Sequence, residues 1–422
     1  MGTRLTTTSP DSRLQWAAEI SIYLVLAYLI NVAFIFPVAD AYLKPLMLIS
    51  VLLCLGLRRQ AGDWSTVQSA GLLKPLAFYT AVLLGSYLAY DGFESTLWMF
   101  FFCSVFVYSA SFIRLSSRLL TLAVVFAALE CLVLILLHGS EAGDERLQGA
   151  TNPIFFGMYT LVMALLAAYL SVGETPAWRI GLRLTALVFL CAAALTLSRG
   201  VLLALIPLVP LYLWHLSATR RHGRRNLLLA FIGGAVLGGA VISQTALPSR
   251  VEQALSEYSA ATQAGEGHFE SSVGFRLLIW QFALDVAAEH PLFGAGNEQF
   301  QAYKQVWVDQ GRYDPALVEF LPGAHAHNQY LQDLALRGVL GLAALLYLMA
   351  GPGIRAIEMI RARQSHLASA GYLLLSLSLA YAVFSLTEVA FKHPEKIALF
   401  ALVAFIALRL DKATEARPGG EQ

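Results

Sequence analysis

Residues 119–138 read LLTLAVVFAALECLVLILLH, and all but Thr121, Glu130 and His138 are apolar. At about 1.5 Å per residue a helix of that length rises about 30 Å, the thickness of a bilayer's hydrocarbon core. The stretch therefore reads as a transmembrane helix. Carried outward in both directions, the same reading places spans at 16–36, 39–57, 71–90, 95–113, 119–138, 152–172, 180–197, 200–216, 227–243, 328–351, 369–390 and 394–410. Composition agrees: 57% of the 422 residues are apolar and 14% charged, too little charge to coat a water-facing surface. The expected fold class is all-α, a polytopic membrane protein of about twelve transmembrane helices surrounded by membrane lipids. A net charge of +1 gives no reason to propose nucleic acid as a partner. Cys54, Cys103, Cys131 and Cys191 all fall in apolar stretches without ligand-like spacing, so they read as buried, inert thiols rather than a metal site or disulfides.

Arginine and lysine set the direction. Alternate segments carry Arg4 and Arg13; Arg58 and Arg59; Arg114 and Arg118; Arg179 and Arg183; Arg220, Arg221, Arg224 and Arg225; Arg355, Arg361 and Arg363; and Arg409, Lys412 and Arg417. The short connections between them hold only Arg146, Arg199, Lys392 and Lys396. This bias places both termini in the cytoplasm and the intervening connections on the outer side of the membrane. The polar N-terminus followed by a long apolar run reads as an uncleaved first span rather than a signal peptide.

One outer connection differs from the rest. The expected organisation is spans one to nine over 1–243, a periplasmic loop or lid over 244–326, spans ten to twelve over 327–410 and a cytoplasmic tail over 411–422. The loop holds helix-like stretches at 249–263, 273–289 and 297–310, and Trp280, Phe282, Phe293, Phe300, Tyr303 and Trp307 supply packing surface for a structured lid.

Cations on the outer side run against the bias, so each requires a reason. Arg146 lies in GDERLQGATNP, Arg199 in LTLSRG at a turn between spans, Arg276 in SVGFRLLIW, and His325 and His327 in GAHAHNQYLQ. Each has a bland reading: an arginine at a helix end is commonly a snorkelling anchor, and a histidine at a membrane boundary an interfacial polar group. Asp333 and Arg337 are spaced for an i,i+4 pair and read as structural. Glu130 and Glu388 lie in apolar runs, where carboxyls are costly; Glu388, with Lys392 nearby, is a second-tier candidate, and Glu130 has no assignment. Gly338 and Gly341, three apart, read as a place where a neighbouring helix approaches closely.

Together these residues form a pattern. His327 and Asn328, then nine residues, Gly338, two residues and Gly341 spell His-Asn-x9-Gly-x-x-Gly behind a long outer loop. TLSRG at Thr196–Gly200, with Ser198, Arg199 and Gly200, then GFRLLIW, and HPLFGAGNEQF with Pro291, Gly294, Gly296 and Phe300 precede it. The arrangement resembles the O-antigen ligase family, the bacterial WaaL-type enzymes and their relatives, the Wzy polymerases and protein O-oligosaccharyltransferases. The resemblance implies a glycosyltransferase that moves a glycan from an undecaprenyl diphosphate carrier to a sugar hydroxyl of lipid A–core at the periplasmic face. It implies that His327 acts on the acceptor and that Arg199 and Arg276 engage the carrier diphosphate. Arg146, His325, Asn328 and Lys392 are expected to contact substrate. His325 competes with His327 as base; His327 is preferred because Asn328 follows it and the glycine spacing aligns with it.

Physical chemistry makes this coherent. Guanidinium forks stay charged and pair bidentately with phosphate, so no metal and no other cofactor is expected. A neutral imidazole serves as general base, and direct attack opposite the leaving diphosphate inverts the anomeric centre. Two alternatives remain: a Wzy-type polymerase using the same donor, and a non-enzymatic transporter of lipid-linked glycans. A transporter is expected to place its charges along a midplane cavity and to show repeats, whereas the charges here gather at the outer boundary. A protein O-oligosaccharyltransferase ranks third, because such enzymes usually carry an additional periplasmic C-terminal portion.

Overall fold

The computed structural model describes residues 12–36, 39–62, 69–90, 95–113, 115–138, 146–172, 174–219, 272–362 and 365–409. The expected ninth span at 227–243, the helix-like stretch at 249–263 and the tail at 411–422 lie outside the described residues. The protein is all-α and polytopic. Among the described residues eight helices are long and apolar enough to cross a membrane: α1 (Ser12–Asn31), α3 (Ala70–Tyr90), α5 (Ser117–His138), α6 (Pro153–Leu170), α7 (Pro176–Leu195), α8 (Arg199–Thr219), α12 (Gln329–Arg361) and α13 (Ser365–Thr387). Helices α2 (Ala39–Ala61), α4 (Ser95–Ala110) and α14 (Pro394–Arg409) occupy three more of the expected spans.

Two helices form the centre. Nearly every residue of α6 and α14 is buried, and a helix that is apolar all round belongs inside a bundle. Outer helices do the opposite: α5 exposes Leu122, Phe126, Leu129, Leu136 and Leu137, a surface suited to acyl chains. Three cysteines are buried as expected, but Cys191 is exposed on α7, because that helix also turns Leu184, Leu187 and Leu190 outward.

Helices α9 (Ser272–Glu289), α10 (Gly296–Asp309) and α11 (Ala316–Glu319) pack as a separate layer around a second core. Phe282 sits in edge contact with Phe300, Trp307 and Tyr313 at centroid distances of 5.0, 5.1 and 5.5 Å. Phe293, expected to help pack this layer, is instead 64% exposed beside Leu292. The backbone of 291–294 is committed elsewhere, and that contact turns both side chains outward.

The commitment is to a break in α12. Gly338 has φ +66 and ψ −161, which interrupts the helix. The freed backbone groups take new partners: Val339 N–H donates to Pro291 O at 2.8 Å, Leu340 N–H to Leu292 O at 3.4 Å, and Ala335 O accepts from Ala295 N–H at 2.9 Å. A Cβ on Gly338 would fall 2.3 Å from Leu292 C, and one on Gly294 2.2 Å from Arg337 N. The expected close approach at this glycine therefore exists, but its partner is the turn at 291–293 and not a helix. The break divides 33 residues into a short initial segment and a span of 339–361, about 34 Å at about 1.5 Å per residue.

Gly338→Ala would combine a positive φ with a backbone clash, so it is expected to cost about 1–3 kcal/mol and to loosen the 272–326 layer. Gly85→Ala, where a Cβ meets nothing within 4 Å, is the control. Melting temperature and limited proteolysis in detergent measure both; equal behaviour of the two variants would refute the joint.

Candidate functional site at one end of the helix bundle

The start of α12, the start of α8, the start of α9 and the connection from α13 to α14 meet at one end of the bundle. Asn328 caps α12: its Oδ1 accepts from Tyr330 N–H at 3.0 Å and Leu331 N–H at 3.1 Å, while its Nδ2 donates to Leu386 O at 3.3 Å. Both ends of this side chain are thus held by protein, and it ties α12 to the end of α13. The preceding loop is pinned from three sides. Lys304 Nζ, buried, donates to Leu321 O and Ala324 O at 3.0 and 2.8 Å. Trp280 Nε1 donates to Ala326 O, and Ala326 N–H donates to Gln332 Oε1, each at 2.7 Å. Between these anchors and the cap, His327 is left in the left-handed region at φ +47, where non-glycine residues are uncommon.

Glu388, 2% exposed, lies at the centre. Its Oε2 is 3.2 Å from His327 Nδ1, its Oε1 is 3.5 Å from His325 Nε2, and Val389 N–H donates to Oε1 at 2.9 Å. Burial pushes the Glu388 carboxyl up, but the bond to His327, both imidazoles and the Val389 N–H outweigh it and hold the group at about 2. An ionised carboxylate only accepts, so the nitrogens facing it carry the protons. His327 N–H donates to His325 Nδ1 at 3.3 Å. His325 therefore has both ring nitrogens engaged, whereas Nε2 of His327 has no hydrogen-bond partner among the described residues. Burial, chiefly, with Lys392, His327 and Lys396 adding to it against the pull of Glu388, lowers His325 to about 3. His393 falls to about 4 through burial and the neighbouring lysines, again against Glu388.

The arginines arrive from two directions. Arg276 donates from Nη1 to Thr387 O at 3.1 Å. Burial lowers its pKa, Glu388 raises it, and Arg199 lowers it, so all three charges share one field; a guanidinium stays protonated throughout. Arg199 opens α8 and is exposed. Its neighbour Gly200 packs so closely on α13 that a Cβ would lie 2.1 Å from Thr387 Oγ1. The TLSRG turn is held left-handed at Leu197, φ +49, and Arg146 Nε donates to Thr196 O at 2.7 Å from the other side. Lys392 is exposed on the α13–α14 connection; partial desolvation lowers its pKa and Glu388 raises it. Behind it Lys396 lies buried, donating to Val389 O at 3.0 Å and sitting 3.3 Å from the Phe155 ring centroid.

His325, His327, Glu388, Arg276 and Arg199 thus converge, with Arg146 bracing the Arg199 turn and Lys392 at the rim. Asp333 and Arg337 form the expected pair at 2.7 Å, with Tyr79 also donating to the carboxylate. Glu388 as the shared partner of both histidines, Lys304 and His393 were not assigned from sequence. The one available signal was a carboxyl in an apolar run, EVAFKHPEK at 388–396. The ligand atoms of His325, His327 and Glu388 lie within 4.8 Å of one another, a spacing that also suits a metal ion. The surrounding cations disfavour a further positive charge, and His325 Nδ1 is already used by the backbone.

Fold and site together define a multi-pass membrane protein with a cationic, imidazole-bearing centre at one end of its bundle. Residues 184–346, a little under two fifths of the chain, match the family model described as O-antigen ligase, Wzy_C. That segment is thus similar to Wzy_C domains, which is consistent with the WaaL and Wzy family. An uncharacterized protein of Haemophilus influenzae is 29% identical over 82 residues, 19% of this chain. That match spans about a fifth of the relative's length. Arg199, Arg276, His327 and Gly338 fall inside the matched family segment; Arg146, Glu388 and Lys392 lie outside it.

Acid is expected to weaken this cluster. His325 and His393 sit below their ordinary 6.5, so the unfolded chain binds more protons and stability falls as pH drops from about 6.5. Glu388, held below its ordinary 4.5, contributes stability above that value that is lost as pH falls toward 2. Melting temperature should decline from pH 7 to 5, less steeply in His325→Gln; a flat wild-type profile would refute the burial of neutral imidazoles.

Proposed function

We propose that the protein is an O-antigen ligase. It transfers a glycan from undecaprenyl diphosphate to a sugar hydroxyl of lipid A–core at the periplasmic face of the inner membrane. The observation that supports this reading is a proton acceptor held on a buried carboxylate whose field also reaches Arg276, with Arg199 close enough to Arg276 to perturb it. Nδ1 of His327 gives its hydrogen bond to Glu388, which leaves the Nε2 lone pair for the acceptor hydroxyl. As the acceptor oxygen bonds to the anomeric carbon, its proton passes to Nε2. The carbon–oxygen bond to phosphate breaks, and its electron pair leaves with the diphosphate. Arg199 and Arg276 hold the developing charge, with Arg146 and Lys392 adding to the field; such preorganised donors near a low-dielectric boundary contribute several kcal/mol. Attack opposite the leaving group inverts the anomeric configuration. His325 is a weaker base candidate because both of its nitrogens are engaged.

Three measurements test this. His327→Ala should lower transfer by at least about 10²-fold, and Glu388→Gln by about 10-fold or more with the protein still folded; full activity in His327→Ala would overturn the base assignment. Transfer should survive EDTA, since the arginines do the work of a divalent ion. Deleting the gene should leave bare lipopolysaccharide cores, with polymer accumulating on its carrier. Cores bearing a single repeat unit would instead identify a Wzy-type polymerase, and polymer trapped on the cytoplasmic side a transporter.

A further inference from the structure

Beside this centre lies a cavity of about 370 Å³ whose lining includes neither Arg199, Arg276 nor His327. It falls in the size range of about 300–1,000 Å³ usual for small-molecule sites. His325 and Lys392 form the wall it shares with the reacting groups. Its remaining surface is chemically different from theirs. Ser95 and Thr96 at the start of α4, and Asn297 and Gln301 on α10, supply hydroxyls and amides around it; Tyr79 and Phe391 supply aromatic surface. Among the described residues the one guanidinium on its wall is that of Arg337, which pairs with Asp333 at 2.7 Å.

Gln301 points to what this space takes. Its Oε1 is buried with no hydrogen-bond partner among the described residues, while its Nε2 makes a long 3.5 Å bond to Ala324 O. A buried acceptor left unsatisfied is unfavourable by about 1–3 kcal/mol, and a rotation of the Gln301 amide toward the cavity would bring it to an entering hydroxyl. Amides and hydroxyls that donate and accept, with aromatic surface for C–H groups, match a pyranose ring, and the Lys392 ammonium on the shared wall can donate to its hydroxyls.

We propose that this cavity is a sugar subsite, holding a hexopyranose unit next to the one that reacts. The inference rests on the glycosyl-transfer reading and deepens it: the charged arginine side takes the diphosphate, and the amide side takes carbohydrate across the His325 wall. The sugar belongs either to the acceptor core or to the donor glycan, and kinetics separates the two.

The test uses the full chain in nanodiscs with rough-core lipopolysaccharide as acceptor and undecaprenyl-diphosphate-linked glycan as donor. Gln301→Ala removes the acceptor oxygen, and Ser95→Trp fills the cavity mouth without removing a charge. Each should raise KM about tenfold or more for one glycan substrate, with kcat within about threefold of wild type. A rise confined to lipopolysaccharide assigns the unit to the acceptor, and one confined to the lipid-linked glycan assigns it to the donor. Unchanged KM for both substrates in both variants, at wild-type melting temperature, would overturn the subsite while leaving the transferase reading intact. Saturation-transfer NMR with methyl α-glucopyranoside and methyl α-galactopyranoside gives a readout independent of transfer. Signal present in wild type and lost in Ser95→Trp supports the cavity even if no transfer is seen, and equal signal in both counts against it.

Discussion

An ionised carboxylate removed from water is strongly unfavourable unless donors and opposite charges surround it. Glu388 meets that condition through His327, His325 and its neighbour's backbone N–H. Much of the local architecture can be read as what this one charge requires. It needs Thr387 at a helix end where Arg276 and the α8 turn can dock, and a loop rigid enough to aim two imidazoles inward. The same negative charge keeps the neighbouring cations from repelling one another apart. In return it fixes which nitrogen of each imidazole carries a hydrogen.

Rigidity of the loop is inherited from the joint at Gly338. Breaking α12 leaves backbone donors and an acceptor without helical partners, and the 291–295 segment satisfies them. The Pro-x-x-Gly-x-Gly run and the Gly of the His-Asn string are therefore two halves of one contact. Gly294 and Gly338 each leave room for the other's backbone. Tyr90 closes the joint from α3, donating to Gly294 O at 2.8 Å.

The transmembrane helices were legible because apolar length is dictated by bilayer thickness, a constraint that acts on each span separately. Their ends were not: α1 begins at Ser12 and α12 runs to Arg361, since helical hydrogen bonding continues past the apolar limit. Arg199, Arg276 and His327 stood out because they oppose the charge bias and fall in ordered motifs. The dependence of His327 on Glu388 was hidden, because the two are separated by 61 positions and nothing local records the pairing. Phe293 was misplaced because aromatic content signals burial only where the backbone is free to turn the ring inward. Asn328 read as a ligand on motif grounds, whereas its geometry is that of a helix cap. The glycine pair was read by spacing, which says that something approaches and not what.

On the reading of the α9–α11 layer as a cover, Lys304 and Trp280 belong to it, yet the carbonyls they grip belong to the loop that carries both histidines. The cover and the proton acceptor are thus mechanically one part. Were the cover to swing away, it would drag His327 off Glu388. On the proposed reading, an uncovered centre is also a disarmed one, and stray solvent reaching an activated glycan finds nothing there to make it a nucleophile. Protection from wasteful hydrolysis then comes from linkage between parts rather than from timing, and hydrophobic substrates are left to enter sideways from the lipid.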